Sequence, residues 1–413
     1  MEGNEGIGRV VAAAVLAAVL GLGLSACSGG GGASDGAAPS TTARPATTST
    51  TTTTEPPTTT TTAPPTTTTT APPGPRTMTL AFAGDLLPHL PIDARAAELG
   101  RASGVAYDFA PLLAPMRPVL EPADVAICHM EVPVAPDPSR IAGYPSFGAP
   151  AELVDGIAAA GYDGCSTASN HSLDQGRAGI DATLARFDAL GLRHAGTART
   201  ADEGAAITTY EVDGAQVAHL SYAYDFNGYR IPTDAPFAAN QIDPARIQAD
   251  AQRARAGGAD LVVVSLHWGT EYQPQPSAYQ RDVAAQILPS PDIDVVIGHH
   301  AHVVQPIEQV EGTYVVWGLG NQLANQAQVP RSDGLTVVLH ADQQPDGRYR
   351  VGGIEAVPTY VDIGSFEVLP VVATLQRPDL GADLRARLQA SYDRTAAVVT
   401  SAGAQGVLLA PRP

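Results

Sequence analysis

Hydrophobic runs that stop at a ligand-type polar residue recur along this chain and mark most of its expected strands. Residues 77–84 stop at Asp85, 125–130 at Glu131, and 163–168 just before Asn170 and His171. Residues 260–266 stop at His267, and 293–298 at His299, His300 and His302. Short apolar runs of β-branched residues bounded by turn formers read as buried parallel strands. Between them, helices are predicted over 111–120, 151–160, 179–190, 244–256, 279–288 and 379–399. In the 179–190 segment, Ile180, Leu184, Phe187 and Leu190 fall near one face. Asp213-Gly214 between 207–212 and 216–223 is a hairpin signal. Glu311-Gly312 marks a second hairpin, and 335–341 with 349–357 reads as a late antiparallel pair. Strand–helix alternation followed by hairpins predicts an α/β fold with a parallel core and antiparallel additions.

The first 76 residues break this pattern. Residues 10–24 are almost wholly apolar and run into Leu24-Ser25-Ala26-Cys27. A short apolar stretch closed by small residues reads as a secretory signal rather than a membrane span. Leu-Ser-Ala-Cys resembles the bacterial lipobox, which makes Cys27 the lipidation site. Arg9 is the only cation before it, against Glu2 and Glu5, so an uncleaved anchor is the alternative. Either reading exports the body and anchors it at the outer face of the cytoplasmic membrane, with the membrane as a partner through the lipid. Residues 28–76 pass from Gly/Ser to Thr/Pro repeats that cannot build a core. They read as a disordered, semi-rigid spacer. The expected organisation is a signal peptide over 1–26, a linker over 27–76 and a domain over 77–413. That domain divides into a core at 77–364 and a helical extension at 365–413.

Composition narrows the chemistry. Hydrophobic residues make up 44 % of 413, ample for a core, and the formal net charge is −18. All 24 cationic residues are Arg. Without Lys there is no P-loop and no Schiff-base nucleophile. The acidic balance also argues against a nucleic-acid partner. Cys128 and Cys165 read as buried free thiols packing as small hydrophobes; a disulfide in an oxidising compartment is the alternative.

Ligands in α/β folds collect at the carboxyl ends of parallel strands. Two carboxylates, one carboxamide and several imidazoles gathered there suit a divalent-metal centre. Gly84 is expected to permit a sharp turn and Asp85 to supply a hard oxygen. His89, four residues on, is a further candidate from the same loop. A carboxylate leaving a buried strand, as Glu131 does, needs a partner, and its two oxygens can bridge two cations. His300 and His302 alternate along an extended chain and would point the same way.

Together AGDLL, the Glu131 segment, FGAPAELVDGIAAAGYDGCSTASNHSLDQG, SYAYDFNG, VSLHWGTEYQPQP, VIGHHAHVVQPIE and WGLGN resemble the CapA-type poly-γ-glutamate capsule synthesis family. That family lies within the calcineurin-like metallophosphoesterase superfamily. The likeness runs over about residues 77–364 and implies a four-layer αββα sandwich with two divalent metal ions (Mn, Fe, Zn or Co). By position it implies Asp85, Glu131, Asn170, His267, His300 and His302 as ligands. His171 is then the catalytic proton donor, and Asn227 and Glu271 are candidate substrate contacts. The implied role is metal-dependent hydrolysis, of phosphoester or amide bonds, in capsule or envelope polymer assembly. Partners would be the polymer or its precursor and a membrane-bound synthase. The alternative is a non-catalytic, polymer-binding or synthase-partner lipoprotein that retains a metal site. The chain departs from the pattern at His129-Met130, where Asn-Leu is usual, at Ser169 and at Gln322. Leu87 stands in the His slot of the Asp-x-His motif, for which His89 or His129 would have to substitute.

Overall fold

The computed structural model describes residues 76–411. The apolar segment at 10–24, Cys27 and nearly all of the Thr/Pro stretch lie outside the described residues. Fifteen strands follow in chain order: β1 Thr77–Leu87, β2 Val125–Met130, β3 Gly164–Ser166, β4 Arg193–Ala195, β5 Thr208–Val212, β6 Ala215–Ala223, β7 Leu261–His267, β8 Val295–His299, β9 Ile307–Val310, β10 Thr313–Val316, β11 Asn321–Ala324, β12 Asp333–Gln343, β13 Tyr349–Val361, β14 Val368–Pro370 and β15 Val407–Leu409. They form two sheets. The first has the order β14-β13-β12-β1-β2-β3-β4, with β11 beside β1 and β15 beside β13. The second has the order β5-β6-β7-β8-β10-β9. Each sheet keeps a parallel centre, β1 to β4 in one and β6, β7, β8 and β10 in the other. The predicted hairpins β5–β6 and β9–β10 close the edges of the second sheet.

Side-chain alternation explains the layering. Leu80 and Phe82 point between the sheets with Ile127 and Val337, where they meet Val217, Val263, Ile297 and Val316. Ala81 and Ala83, on the opposite face, pack with Leu153, Ile157 and Phe187 of the helices. Val262, Val264 and Val296 likewise cover the outer face of the second sheet under Ile247, Ala251 and Val283. Strand side chains alternate faces. Both faces here are apolar, so each sheet is buried on both sides and the stack reads helix, sheet, sheet, helix. Each fully buried large apolar side chain contributes about 1.5–3 kcal/mol.

The structure corrects several expectations. The helix expected over 111–120 is three short pieces: Ala110–Leu113, a 3-10 turn at Ala114–Met116, and Arg117–Leu120. Pro115 and Pro118 supply no N–H for a continuous ladder. A helix at Leu90–Ser103 was not anticipated, because its buried face is only Ile92, Asp93, Ala96 and Gly100. The C-terminal extension is not only helical: β14 and β15 both pair with β13. Gly84 does not turn the chain, since β1 continues through it; instead, a Cβ there would collide with the Gly320 carbonyl. Cys128 and Cys165 are not free thiols. They face each other across β2 and β3, with Cα atoms 4.4 Å apart, and form a disulfide. Register, which composition does not reveal, brought them within bridging range.

Candidate metal centre

Register also builds the site. At the carboxyl end of the first sheet, Asp85 pairs with His129 and with Asn321, and His129 pairs with Ser166. At the same end of the second sheet, His267 pairs with His299. These ends meet at one buried mouth, where Asp85, His129, Glu131, His267, His299, His300 and His302 are all at most 2 or 3 % exposed.

Two groups stand out. Asp85, His129 and His299 each bring a ligand atom within 4.8 Å of the others; Glu131, His300 and His302 do the same. The Asp85 carboxylate lies 3.5 Å from His299 Nδ1 and 3.3 Å from His302 Nδ1. Glu131 Oε1 lies 3.6 Å from His302 Nε2 and 3.9 Å from His267 Nε2. The His129 ring stacks on His299 with centroids 4.1 Å apart, and its Nδ1 is 2.7 Å from Ser166 Oγ.

His302 belongs to one group but touches both carboxylates. Asn321 fixes it, with its Oδ1 2.9 Å from His302 Nδ1. The reason His300 and His302 converge differs from the expected strand alternation. Strand β8 ends at His299, and the two residues that follow in the cluster take φ of 87° and 53°. Non-glycine residues in the left-handed region are uncommon and cost about 1–3 kcal/mol. Surrounding contacts therefore have to hold this turn.

Charge follows the geometry. Burial opposes ionising Asp85, but the contacts with His299 and His302 prevail and hold its carboxyl below the usual range. Burial pushes Glu131 well above its usual range, against the pull of His302. Burial, and then neighbouring imidazoles, push His129 and His267 well down and His300 down to about 3. His302 is the exception. Burial lowers it, but Glu131 and Asp85 outweigh that and raise it to about 10. Without a metal, its proton is the cation between two buried carboxylates.

These donors fit a metal. Both Glu131 oxygens, both His299 nitrogens and His300 Nδ1 are buried without a hydrogen-bond partner. Buried polar atoms are normally paired, and a divalent cation satisfies this mixed N/O set. Asn170 and His267 lie against the groups. Asn170 Oδ1 is 2.9 Å from His267 Nε2, while His267 Nδ1 is 2.9 Å from His129 Nε2.

His171 sits beside this cluster, with its Nδ1 2.7 Å from Asp174 Oδ2 and its ring edge-on to Phe147. Asn227 links the two candidates before it. Its Oδ1 accepts from Asn170 Nδ2 at 3.3 Å, and its Nδ2 lies 3.4 Å from His171 Nδ1. Glu271 is half-buried beside Tyr272, and its charge is felt at Glu131 and His302. His89 is not brought into either group. It precedes the Leu90–Ser103 helix, its Nδ1 accepts from Asn325 N, and its ring meets Phe147 edge-on. Of the two, it is His129 that lies beside Asp85 and joins a three-residue group with it.

Sequence reasoning did not assign His299 as a ligand, although its place at the end of an apolar run, like that of His267, was the available signal. Asp174, which no motif singled out in the sequence, holds His171 through Nδ1. Among the described residues, no helix is long and apolar enough to cross a membrane.

A buried cluster of carboxylates and imidazoles that can hold divalent metal, at the joined ends of two sheets, defines the class. Comparison supplies the family. Residues 79–326 match the family described as bacterial capsule synthesis protein PGA_cap, and the chain belongs to that family. The PGA biosynthesis protein CapA of Bacillus subtilis is 30 % identical over 221 residues, 51 % of this chain and 56 % of that one. The capsule biosynthesis protein CapA of Bacillus anthracis is 29 % identical over 192 residues, 46 % of each. The matched region thus spans about half the length of these relatives. Among solved structures, the calcineurin-like phosphoesterase YfkN of Bacillus subtilis is 14 % identical, with a TM-score of 0.40, covering 78 % of this chain and 98 % of that one.

Proposed function

We propose that this chain is an exported, lipid-anchored, metal-dependent hydrolase of the phosphoester-cleaving type that acts in assembly of a capsule or envelope polymer. The observation that carries the reading is the pair of buried three-residue groups at one mouth, with both Glu131 oxygens left without partners. Asp85, His129 and His299 would hold one divalent cation, and Glu131, His300 and His302 the other. Such ions, when bound, lower the pKa of a water and neutralise charge on substrate oxygens. The chain's own part is to orient and to move a proton. Asp174 fixes the His171 ring through Nδ1, leaving Nε2 to donate to the leaving oxygen. Phe147, packed at about a right angle to that ring, limits water beside it.

The names of the relatives support a polymer-synthesis setting, with the polymer or its precursor and a membrane-bound synthase as partners. The Cys128–Cys165 disulfide supports an oxidising compartment. Leu87 in the His slot favours the second reading, a polymer-binding protein without turnover; His129, facing Asp85, favours the first. The deciding experiment is elemental analysis of the full chain before and after chelation, with phosphomonoester and phosphodiester turnover followed in parallel. About two ions per chain and turnover that vanishes and returns with metal are expected. Bound metal with no turnover of any ester would leave the non-catalytic reading standing.

A further inference from the structure

The cleft contains one cation that its neighbours do not use. Arg331 follows β11, and its backbone is tied to the site: its carbonyl accepts from Asn321 Nδ2 at 2.8 Å, and Asn321 is the residue that fixes His302. Its guanidinium carbon lies 3.5 Å from the Tyr272 ring centroid. Tyr272 in turn stacks on His302, with centroids 5.9 Å apart, and its backbone N–H donates to Ala301 O at 2.8 Å. Arg331 is therefore two ring contacts from the candidate metal centre. Among the described residues it is the one arginine that is half-buried and yet gives no hydrogen bond or ion pair from its guanidinium. Stacking occupies the face of a guanidinium and leaves its five in-plane N–H donors free, in the fork that matches a carboxylate or phosphate. An acidic chain, with 42 carboxylate residues against 24 arginines, has particular need of such a fork to admit an anionic ligand beside Glu131, Asp85 and Glu271.

We propose that Arg331 is the anion-recognition residue of this cleft: it clamps an anionic oxygen group of the substrate, a carboxylate or a phosphate, next to the bond presented to the metal centre. The substrate class is thus an acidic polymer or a phosphorylated precursor. This deepens the reading of the same site as a hydrolase and rests on it for the word substrate, although the binding event is independent of turnover.

The test is calorimetric titration of the full chain, both metal-loaded and after chelation. The probes are a γ-glutamyl oligomer, its uncharged γ-glutaminyl counterpart and inorganic phosphate. Wild-type protein is expected to bind an anionic probe in the chelated state and to prefer the γ-glutamyl oligomer over the neutral one if the carboxylate is the group recognised. Arg331→Gln should weaken binding of that anionic probe roughly 10- to 100-fold, the loss expected for one charge-assisted bidentate pair. Metal content and affinity for the neutral oligomer should be unchanged. Arg331→Lys should fall between, because it keeps the charge and loses the fork; it carries the test if the Gln variant does not fold. A response confined to phosphate identifies a phosphoryl group, and one confined to the oligomer identifies the carboxylate. Anion affinity equal to wild type in both variants, or no anion binding by chelated wild-type protein, overturns the proposal. If no ester is turned over but the Arg331-dependent anion affinity persists, the hydrolase reading fails and this one stands.

Discussion

Glu131 is hardest to account for without a cation. Its two oxygens are buried and unpartnered, and the nearest positive group is the His302 imidazolium at 3.6 Å. An ionised carboxylate in that position needs pairing, so removing its charge should have opposite effects in the two states of the site. Glu131→Gln is expected to lose bound metal on elemental analysis. In calorimetric melts at pH 8 it should unfold below wild type when metal is supplied, and at or above wild type in chelator. A variant that melts below wild type in both would mean that Glu131 is needed for packing rather than for a cation. His171 makes the complementary case. It touches Asp174 and Phe147 and lies in neither three-residue group. His171→Asn should reduce kcat about 10²- to 10⁴-fold, the range for loss of a positioned acid, with metal content intact; loss of metal would remove it from the proton-donor role.

At the scale of elements, the runs that end in ligands were legible because parallel strands buried on both faces are continuous apolar segments, and each terminates where its side chains reach the cleft. β2, β7 and β8 emerged within two residues of their sequence-based bounds for that reason. What could not be read was pairing. Register decided that Cys128 meets Cys165 and that His129 meets Asp85, and a sequence carries no direct mark of register. The backbone turn at His300 and His302 was hidden too, since nothing in Gly-His-His-Ala-His distinguishes an extended path from a left-handed one. The Leu90–Ser103 helix, also missed, yields its own prediction. Asp93 in its first turn is buried, with neither oxygen partnered, and burial pushes its carboxyl up to about 7. A folded-state pKa above the unfolded one makes stability greatest below the unfolded value and erodes it as pH rises through the folded value, here between about 4 and 7. The cost at pH 8 is at most about 4 kcal/mol. Asp93→Asn should therefore raise Tm at pH 8 and change it little near pH 4, flattening the slope between. A parallel slope in the variant would show that Asp93 is solvated in the native protein.

For the whole molecule, the site acts as a clasp between layers. Asp85, His129 and Glu131 come from the first sheet and the residue after it, whereas His299, His300 and His302 leave the second. Each three-residue group takes members from both sheets. The sheets are already joined along their length by Leu80, Phe82, Ile127, Val263 and Ile297, so apolar contact, not metal, holds most of the seam between them. At the cleft end, however, apolar contact gives way to carboxylates and imidazoles, and without metal the His302 proton is the main compensation. A cation that binds only the native state stabilises it by RT ln(1 + [L]/Kd), about 2.7 kcal/mol per site at a hundredfold excess over Kd. For a domain this large that amounts to several degrees of Tm. Chelation of the full chain should lower Tm by that amount, and re-addition of a divalent ion should restore it. In Glu131→Gln, which removes a member of one group only, the metal-dependent increment should shrink without vanishing, because Asp85, His129 and His299 remain. A melting temperature in wild-type protein that ignores both chelator and added metal would show that these six residues do not join the sheets through a shared cation.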